Sequence, residues 1–482
     1  MLAGLASRAL ALPPRPKLLV LVILEQFRPD VLQSLSPQFG TGGFRRLLAG
    51  GAHFPDCRHL ASTFSASGIA TLATGAWPAQ HGIVADHWYD RASRKPVGAS
   101  DEALLATTLA AQIARDSKAR VFVVSLDQAQ ARLYAGTPRA QLFWMDRRGQ
   151  FATGGDWPDW LTEYNRLKPV ENVHDAPWMA LGARPGAPPL RTLKFDPAKP
   201  EQFLALYKAS YLGEEAEFEF LAELIAQEKL GQGEEFDFVC LLAGSSALLG
   251  YETGGLSPLI EQMTLRLDQH LEFLLDTLSK TVGENAFNLA LAAAHGAPPA
   301  PPAEVRARMG VNGETLAQAV EKSLAANGGG RVEKYVYPFL YLDTNGFRDP
   351  EPLRLAAARA AMQQSAVADY YTAGGECSTR DEWERRFRNS FHLKRSGDVM
   401  LSYQPEYVEE YGTGRGVSYG SLYNYDVRVP LFFYGPQFRA GVFEGPVESV
   451  DVAPTLARAI GVAAPSSATG RVLSQVFRRG EE

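Results

Sequence analysis

Residues 17–24 (KLLVLVIL) are an aliphatic run with no polar position after Lys17, closed by Glu25-Gln26. A strand with one wet face alternates polar and apolar residues. A run with no alternation is buried on both faces, as in a parallel sheet covered by helices. Comparable runs recur at 119–126 (ARVFVVSL), 236–242 (FDFVCLL), 288–293 (NLALAA) and 428–434 (RVPLFFY). Helical periodicity separates them at 43–49, 103–114, 217–228, 257–278, 313–325 and 352–363. Strands alternating with helices predict an α/β fold: a doubly wound, mostly parallel sheet flanked by helices. Ligands of such sheets sit beyond the carboxyl ends of the strands, so function is to be sought in the residues that follow each run.

Two stretches break the rhythm. Residues 135–208, rich in Trp, Pro, Asp and Gly, read as an inserted cap segment, with Trp144, Trp157, Trp160 and Trp178 as its core or as walls of a cleft. Residues 376–418, charged and turn-rich, read as a second excursion, and 297–303 (APPAPPA) as a short rigid connector. Residues 17–475 as a whole, these segments included, read as one domain. Lys and Arg number 48 against 54 Asp and Glu, a net charge of −6, so no basic face for nucleic acid is expected. Three distant cysteines (Cys57, Cys240, Cys377) form neither a disulfide framework nor a thiolate metal site. The apolar run of strand one is far too short for a membrane span. Residues 1–11 (MLAGLASRALA) read either as a poor or trimmed signal peptide or as a frayed start.

Glu25 stands directly after the first strand, a place for a metal-binding or acid–base carboxylate. Ser65, in STFSASGIAT, reads as a helix N-cap or as a nucleophile backed by helix N–H groups. Gly42-Gly43, Gly50-Gly51 and Gly254-Gly255 read as turns, the Glu214–Glu219 acids as a solvated helix start, and Arg385, Arg386 and Arg388 as a surface face.

The segments GGFRRLLAGGAHFPDC, TFSASGIATLATGAWPAQHGIVADHWYD, FWMDRRGQF, SGDVMLSYQPEY, YNYDVRVPLFFYGPQF and SVDVAPTLARAIGV resemble, in order and over residues 17–472, the alkaline phosphatase superfamily. The similarity is greatest to its single-chain bacterial phosphomonoesterases allied to type I phosphodiesterases and nucleotide pyrophosphatases. The resemblance implies an exported, periplasmic or secreted hydrolase in which two zinc ions clamp a phosphoryl group attacked by Thr or Ser. It implies six further ligands, three aspartates and three histidines.

Carried over residue by residue, the set is depleted. The first aspartate falls on Glu25 and the nucleophile on Ser65. The Asp-x-x-x-His pair falls on Ala247 and Tyr251, the Asp-His pair on Ala294 and His295, and the last histidine on Arg428. Of the phosphate-contacting positions, the asparagine falls on Asp86, and the Lys-x-Arg pair on Asp127 and Ala129. Zinc needs about four donors; compensating ligands from the loops would be residues such as His53, His59 or His81. The expectation is therefore an intact fold with no metal or other cofactor, no phosphatase turnover, and a binding or scaffolding role toward an unknown ligand or protein partner. Arg428 is expected to pair with Glu25 or Asp86. Two alternatives stay open: ester hydrolysis by a Ser65–His295 pair with Glu25 orienting the imidazole, against a leftover His295 packed on Tyr251; and phosphodiester hydrolysis with one metal on Glu25, His295 and loop residues.

Overall fold

Leu18–Leu24 forms β1, with every residue buried. It lies between β6 (Asp237–Ala243) and β7 (Phe287–Ala293), parallel to both and in register along its whole length. The computed structural model describes residues 14–299, 309–379, 381–405, 407–409 and 419–478. The other strands of this sheet are β2 (Ala52–Arg58), β3 (Arg120–Ser125), β4 (Gln141–Met145) and β5 (Phe151–Thr153). They are joined by β8 (Arg428–Tyr434) and the short β9 (Gly441–Val442) and β10 (Val447–Glu448). The spatial order is β9-β2-β8-β7-β1-β6-β3-β4-β5, with β10 beside β2.

The sheet is mostly parallel, as the unbroken apolar runs predict, and its central strands β1, β6 and β7 are buried along their whole length. Antiparallel β8 is the useful exception. It brings its amino end, Arg428, to the same sheet edge as the carboxyl ends of β1, β6, β7 and β3.

Five helices position the site: α1 (Ser65–Thr74), α2 (Gln128–Ala135), α3 (Tyr211–Gln227), α4 (Ser245–Thr253) and α5 (Pro258–Thr281). Helix α3 starts six residues before its expected start at 217, because Ser210 caps it by accepting from the N–H groups of Leu212 and Gly213. That start changes the reading of its acids. Glu214 and Glu217 are not solvated but buried, at 3% and 0% exposure, on the face packed toward β6 and α5. Arg386 likewise is buried, its guanidinium held by the Leu422 carbonyl and Asn424, whereas Arg388 stays exposed.

Within 135–208, β4 and β5 extend the main sheet at its edge, and Trp178 is fully buried while Trp157 is 39% exposed. Within 376–418, Val399–Tyr403 belongs to a separate four-stranded antiparallel sheet with Val332–Val336, Phe339–Leu342 and Val367–Thr372. The possible signal peptide at 1–11 and most of the 297–303 connector lie outside the described residues. Among the described residues no disulfide joins the cysteines. Among the described residues no helix is long and apolar enough to cross a membrane.

Candidate functional site

Glu25 emerges from β1 with its backbone N–H bonded to the Ala243 carbonyl, so its side chain rises from the centre of the sheet edge, 2% exposed. His295 follows β7 and is fully buried. Ser65 opens α1, and the helix is drawn hard against the end of β7 by Gly68: a Cβ there would lie 2.2 Å from the Ala294 carbonyl oxygen. That glycine sets the distance at which Ser65 meets His295.

Ser65 is not an N-cap. Phe64 holds that position without a side-chain bond, and Ser65 Oγ instead lies 3.1 Å from His295 Nε2. His295 Nδ1 lies 2.7 Å from the Gly296 carbonyl, which only accepts, so Nδ1 carries the proton and Nε2 is free to accept from Ser65. Burial holds His295 down to about 4, neutral at physiological pH. The serine–histidine pair left open as an alternative is therefore assembled, but with different supports. Glu25 sits on the Nε2 side, 4.0 Å away, and does not orient the ring; the Gly296 carbonyl does. The ring stacks on Tyr419 (4.8 Å), not on Tyr251.

Burial raises the Glu25 carboxyl to about 7, with the Ser65 hydrogen bond opposing and the charge of Asp86 adding to the rise. Asp86 is half-buried. Its Oδ1 accepts the Ala66 N–H at 2.8 Å, at the positive end of α1, and Tyr419 donates its hydroxyl to it. Asp127 caps α2, accepting from Gln130 N–H at 3.0 Å, and turns toward the same space; Ala129 is exposed in the first turn of α2. Glu25, Ser65, Asp86 and Asp127 floor a cavity of about 510 Å³ whose walls include Phe64, Leu248, Tyr251, Tyr337 and Tyr419.

The remaining ligand positions do not supply donors. Ala247 is buried in α4 and Ala294 at the end of β7, and Tyr251 lines the cavity with a neutral ring. Arg428 does not pair with Glu25 or Asp86. It starts an edge-facing position of β8 and bridges Asp56 on the neighbouring β2 at 3.0 Å, 44% exposed, in a second cavity of about 530 Å³. The substitute histidines are engaged elsewhere: His53 stacks on Phe432, His59 Nδ1 meets Ser449 Oγ at 2.8 Å, and His81 Nε2 meets Thr71 Oγ1 at 3.1 Å.

Two contributors escape the sequence reading. Glu217 holds the N–H groups of Gly244 (2.7 Å) and Ser245 (3.4 Å), fixing the turn from β6 into α4 beneath Glu25. Tyr419 reaches the site because Gly420, at φ +103°, lies flat on the Phe64 ring, where a Cβ would stand 2.4 Å from Cζ. The only signal for Tyr419 is its place shortly before the YNYDVRVP segment.

Residues 19–416 match the type I phosphodiesterase / nucleotide pyrophosphatase family. Alkaline phosphatase PhoV of Synechococcus elongatus is 26% identical, with 96% of this chain and 93% of PhoV aligned. Alkaline phosphatase PafA of Elizabethkingia meningoseptica is 25% identical over 97% and 95% of the two chains. The crystal structure of wild-type PafA superposes with a TM-score of 0.82, at 22% identity over 97% of this chain and all of the other, and shows the same fold.

These relatives correct one expectation, that of no cofactor. They are alkaline phosphatases, a zinc-dependent group, so the lineage of the chain points to metal use. The side chains at the site are a different matter. Among the described residues no three of His, Cys, Asp and Glu converge as ligands. Glu25, Ser65 and His295 converge, but Ser65 and His295 are hydrogen-bonded to each other with Glu25 4.0 Å from the ring, and alanines, a tyrosine and an outward arginine hold the other positions. The donor set present does not fit a pair of zinc ions.

Proposed function

The chain belongs to the type I phosphodiesterase / nucleotide pyrophosphatase family of the alkaline phosphatase superfamily; from that premise we propose that it keeps the family's cavity as a ligand-binding site and does not turn over phosphate monoesters. The observation that carries this reading is Asp86. Its carboxylate accepts the Ala66 N–H at the start of α1, the position from which a helix N-terminus would otherwise hold an anion. Glu25 stands on the other side of Ser65. A phosphate dianion brought there meets a repulsion of about 1 to 4 kcal/mol from an ionised carboxylate at short range, from Asp86 and, above about pH 7, increasingly from Glu25. Lys208, the ammonium lining the cavity, is turned onto the carbonyls of Leu126 and Met145 at 3.0 and 3.2 Å and offers little compensation.

The test is p-nitrophenyl phosphate hydrolysis across a zinc titration, with zinc content measured on the same samples. The expected result is no turnover above that of the Ser65→Ala protein at any zinc level. Turnover that rises with zinc and is lost in Ser65→Ala overturns the reading.

A second reading is favoured by the Ser65–His295 geometry itself: ester cleavage with Ser65 as nucleophile and His295 as base. It ranks below the first because the N–H nearest the nucleophile, that of Ala66, is already taken by a carboxylate where an oxyanion would need a donor. A burst of p-nitrophenol from p-nitrophenyl acetate, absent in Ser65→Ala, would select it.

A further inference from the structure

We propose that the cavity over Ser65 takes an organic cation, an ammonium group carried on an apolar body, in place of the phosphate anion bound by the family. This rests on the reading of the cavity as a ligand-binding site and names its ligand class.

Three independent features of the cavity converge. The first is size: about 510 Å³ is the volume of a small-molecule site. The second is its aromatic wall. Tyr337 meets Phe64 at 5.8 Å and 70°, Phe64 meets Tyr419 at 6.3 Å and 67°, and Tyr419 meets Tyr251 at 5.9 Å and 67°. Successive rings set nearly perpendicular make corners, the arrangement by which aromatic side chains enclose an ammonium group with electron-rich faces. The third is the charge on the floor. Glu25 is 2% exposed and lines the cavity, and among the described residues no Lys or Arg is paired with it. Its nearest basic group is His295 Nε2 at 4.0 Å, which is neutral and accepts from Ser65. Asp86 and Asp127 line the same space. Among the described residues the positive charge lining the cavity is Lys208, bound to two backbone carbonyls, and exposed His87 stands at the margin.

A buried carboxylate without a counter-charge is costly and takes up a proton unless a cation neutralises it. A bound cation does so, and the rings recover the solvation an ammonium loses on entry. A neutral molecule of the same shape gains the apolar contact only. Phosphate gains neither.

The experiment is titration calorimetry on the full chain with three probes: (3-hydroxyphenyl)trimethylammonium, its neutral isostere 3-tert-butylphenol, and inorganic phosphate. The expected result is that the cation binds at least about tenfold more tightly than the isostere, a cation–aromatic and charge contribution of roughly 1.4 kcal/mol or more, and that phosphate gives no saturable heat. Asp86→Asn, which keeps an acceptor for the Ala66 N–H, is expected to weaken the cation about tenfold while leaving the phenol unchanged. The unchanged phenol serves as the control for folding. Equal affinity for the cation and its isostere, preference for phosphate, or a cation affinity indifferent to Asp86→Asn each overturns the proposal. Zinc-dependent turnover of p-nitrophenyl phosphate would instead refute the premise about phosphate esters, so the two failures are told apart.

Discussion

Glu217→Gln is the substitution whose outcome follows most directly from the structure. The Glu217 side chain is fully buried, with its oxygens on the N–H groups of Gly244 and Ser245. Burial pushes its carboxyl up to about 8; the two backbone N–H groups pull it back, and the charge of Glu25 adds a little to the rise. An acid raised in this way still holds its proton in the native chain at pH values where the unfolded chain, titrating near 4.5, has released it. The native state then binds more protons than the unfolded one, so stability falls as pH rises through that window and is best preserved below it. Each pH unit of full difference is about 1.4 kcal/mol, so going from pH 5 to pH 8 removes roughly 3 kcal/mol through this group alone. Glutamine keeps an acceptor for Gly244 and cannot ionise. Denaturant unfolding of both proteins at pH 5 and pH 8 gives the answer, with equal m-values required for the comparison. The variant is expected to gain roughly 3 kcal/mol on wild type between the two pH values. Glu214, also buried and also raised by burial, is present in both proteins and cancels to first order. An offset between the proteins that is the same at both pH values would refute the reasoning, because it would mean Glu217 titrates alike in the folded and unfolded chains.

Other outcomes are expected from the same geometry. Gly68→Ala places a Cβ against the Ala294 carbonyl and should cost about 1–3 kcal/mol in unfolding experiments despite the better helix propensity of alanine; a stabilised variant would show that α1 has room to move. Arg428→Ala removes an exposed bridge to Asp56 and should change stability by less than about 1 kcal/mol. It should leave ligand affinity at the Ser65 cavity untouched, and a change there would place the arginine in the site after all. His295, held down to about 4 by burial, should remain neutral with its proton on Nδ1 at pH 6, read from the imidazole nitrogen shifts by NMR. A doubly protonated ring at that pH would remove it as acceptor for Ser65.

How much of this was legible beforehand differs by element. The central strands fall within a residue of their apolar runs, since a strand buried on both faces lacks polar alternation and so stands out as a mainly apolar block. Glu25 and His295 were legible as site positions for the same reason: each follows such a run at the edge where parallel strands end. The burial of Glu214 and Glu217 was not legible, because a row of acids at a helix start is ordinarily solvated, and only packing against β6 and α5 reveals which of them face inward. The expected pairing of Arg428 failed for a similar reason. Being at the right end of β8 says nothing about which side of the strand the guanidinium leaves, and Asp56 on β2 offers it an exposed partner.

The amino-acid order by itself determined the sheet, its helices and the identities of the groups at the strand ends, because those follow from local periodicity and from which side chains are charged. Only the tertiary structure decided what those groups do to one another. The 3.1 Å contact of Ser65 with His295, the seat of Asp86 on the first turn of α1 and the arrival of Tyr419 over the imidazole all join residues far apart in the chain. Their separations are set by backbone approach, as at Gly68 and Gly420, and no periodicity records how closely two backbones pass.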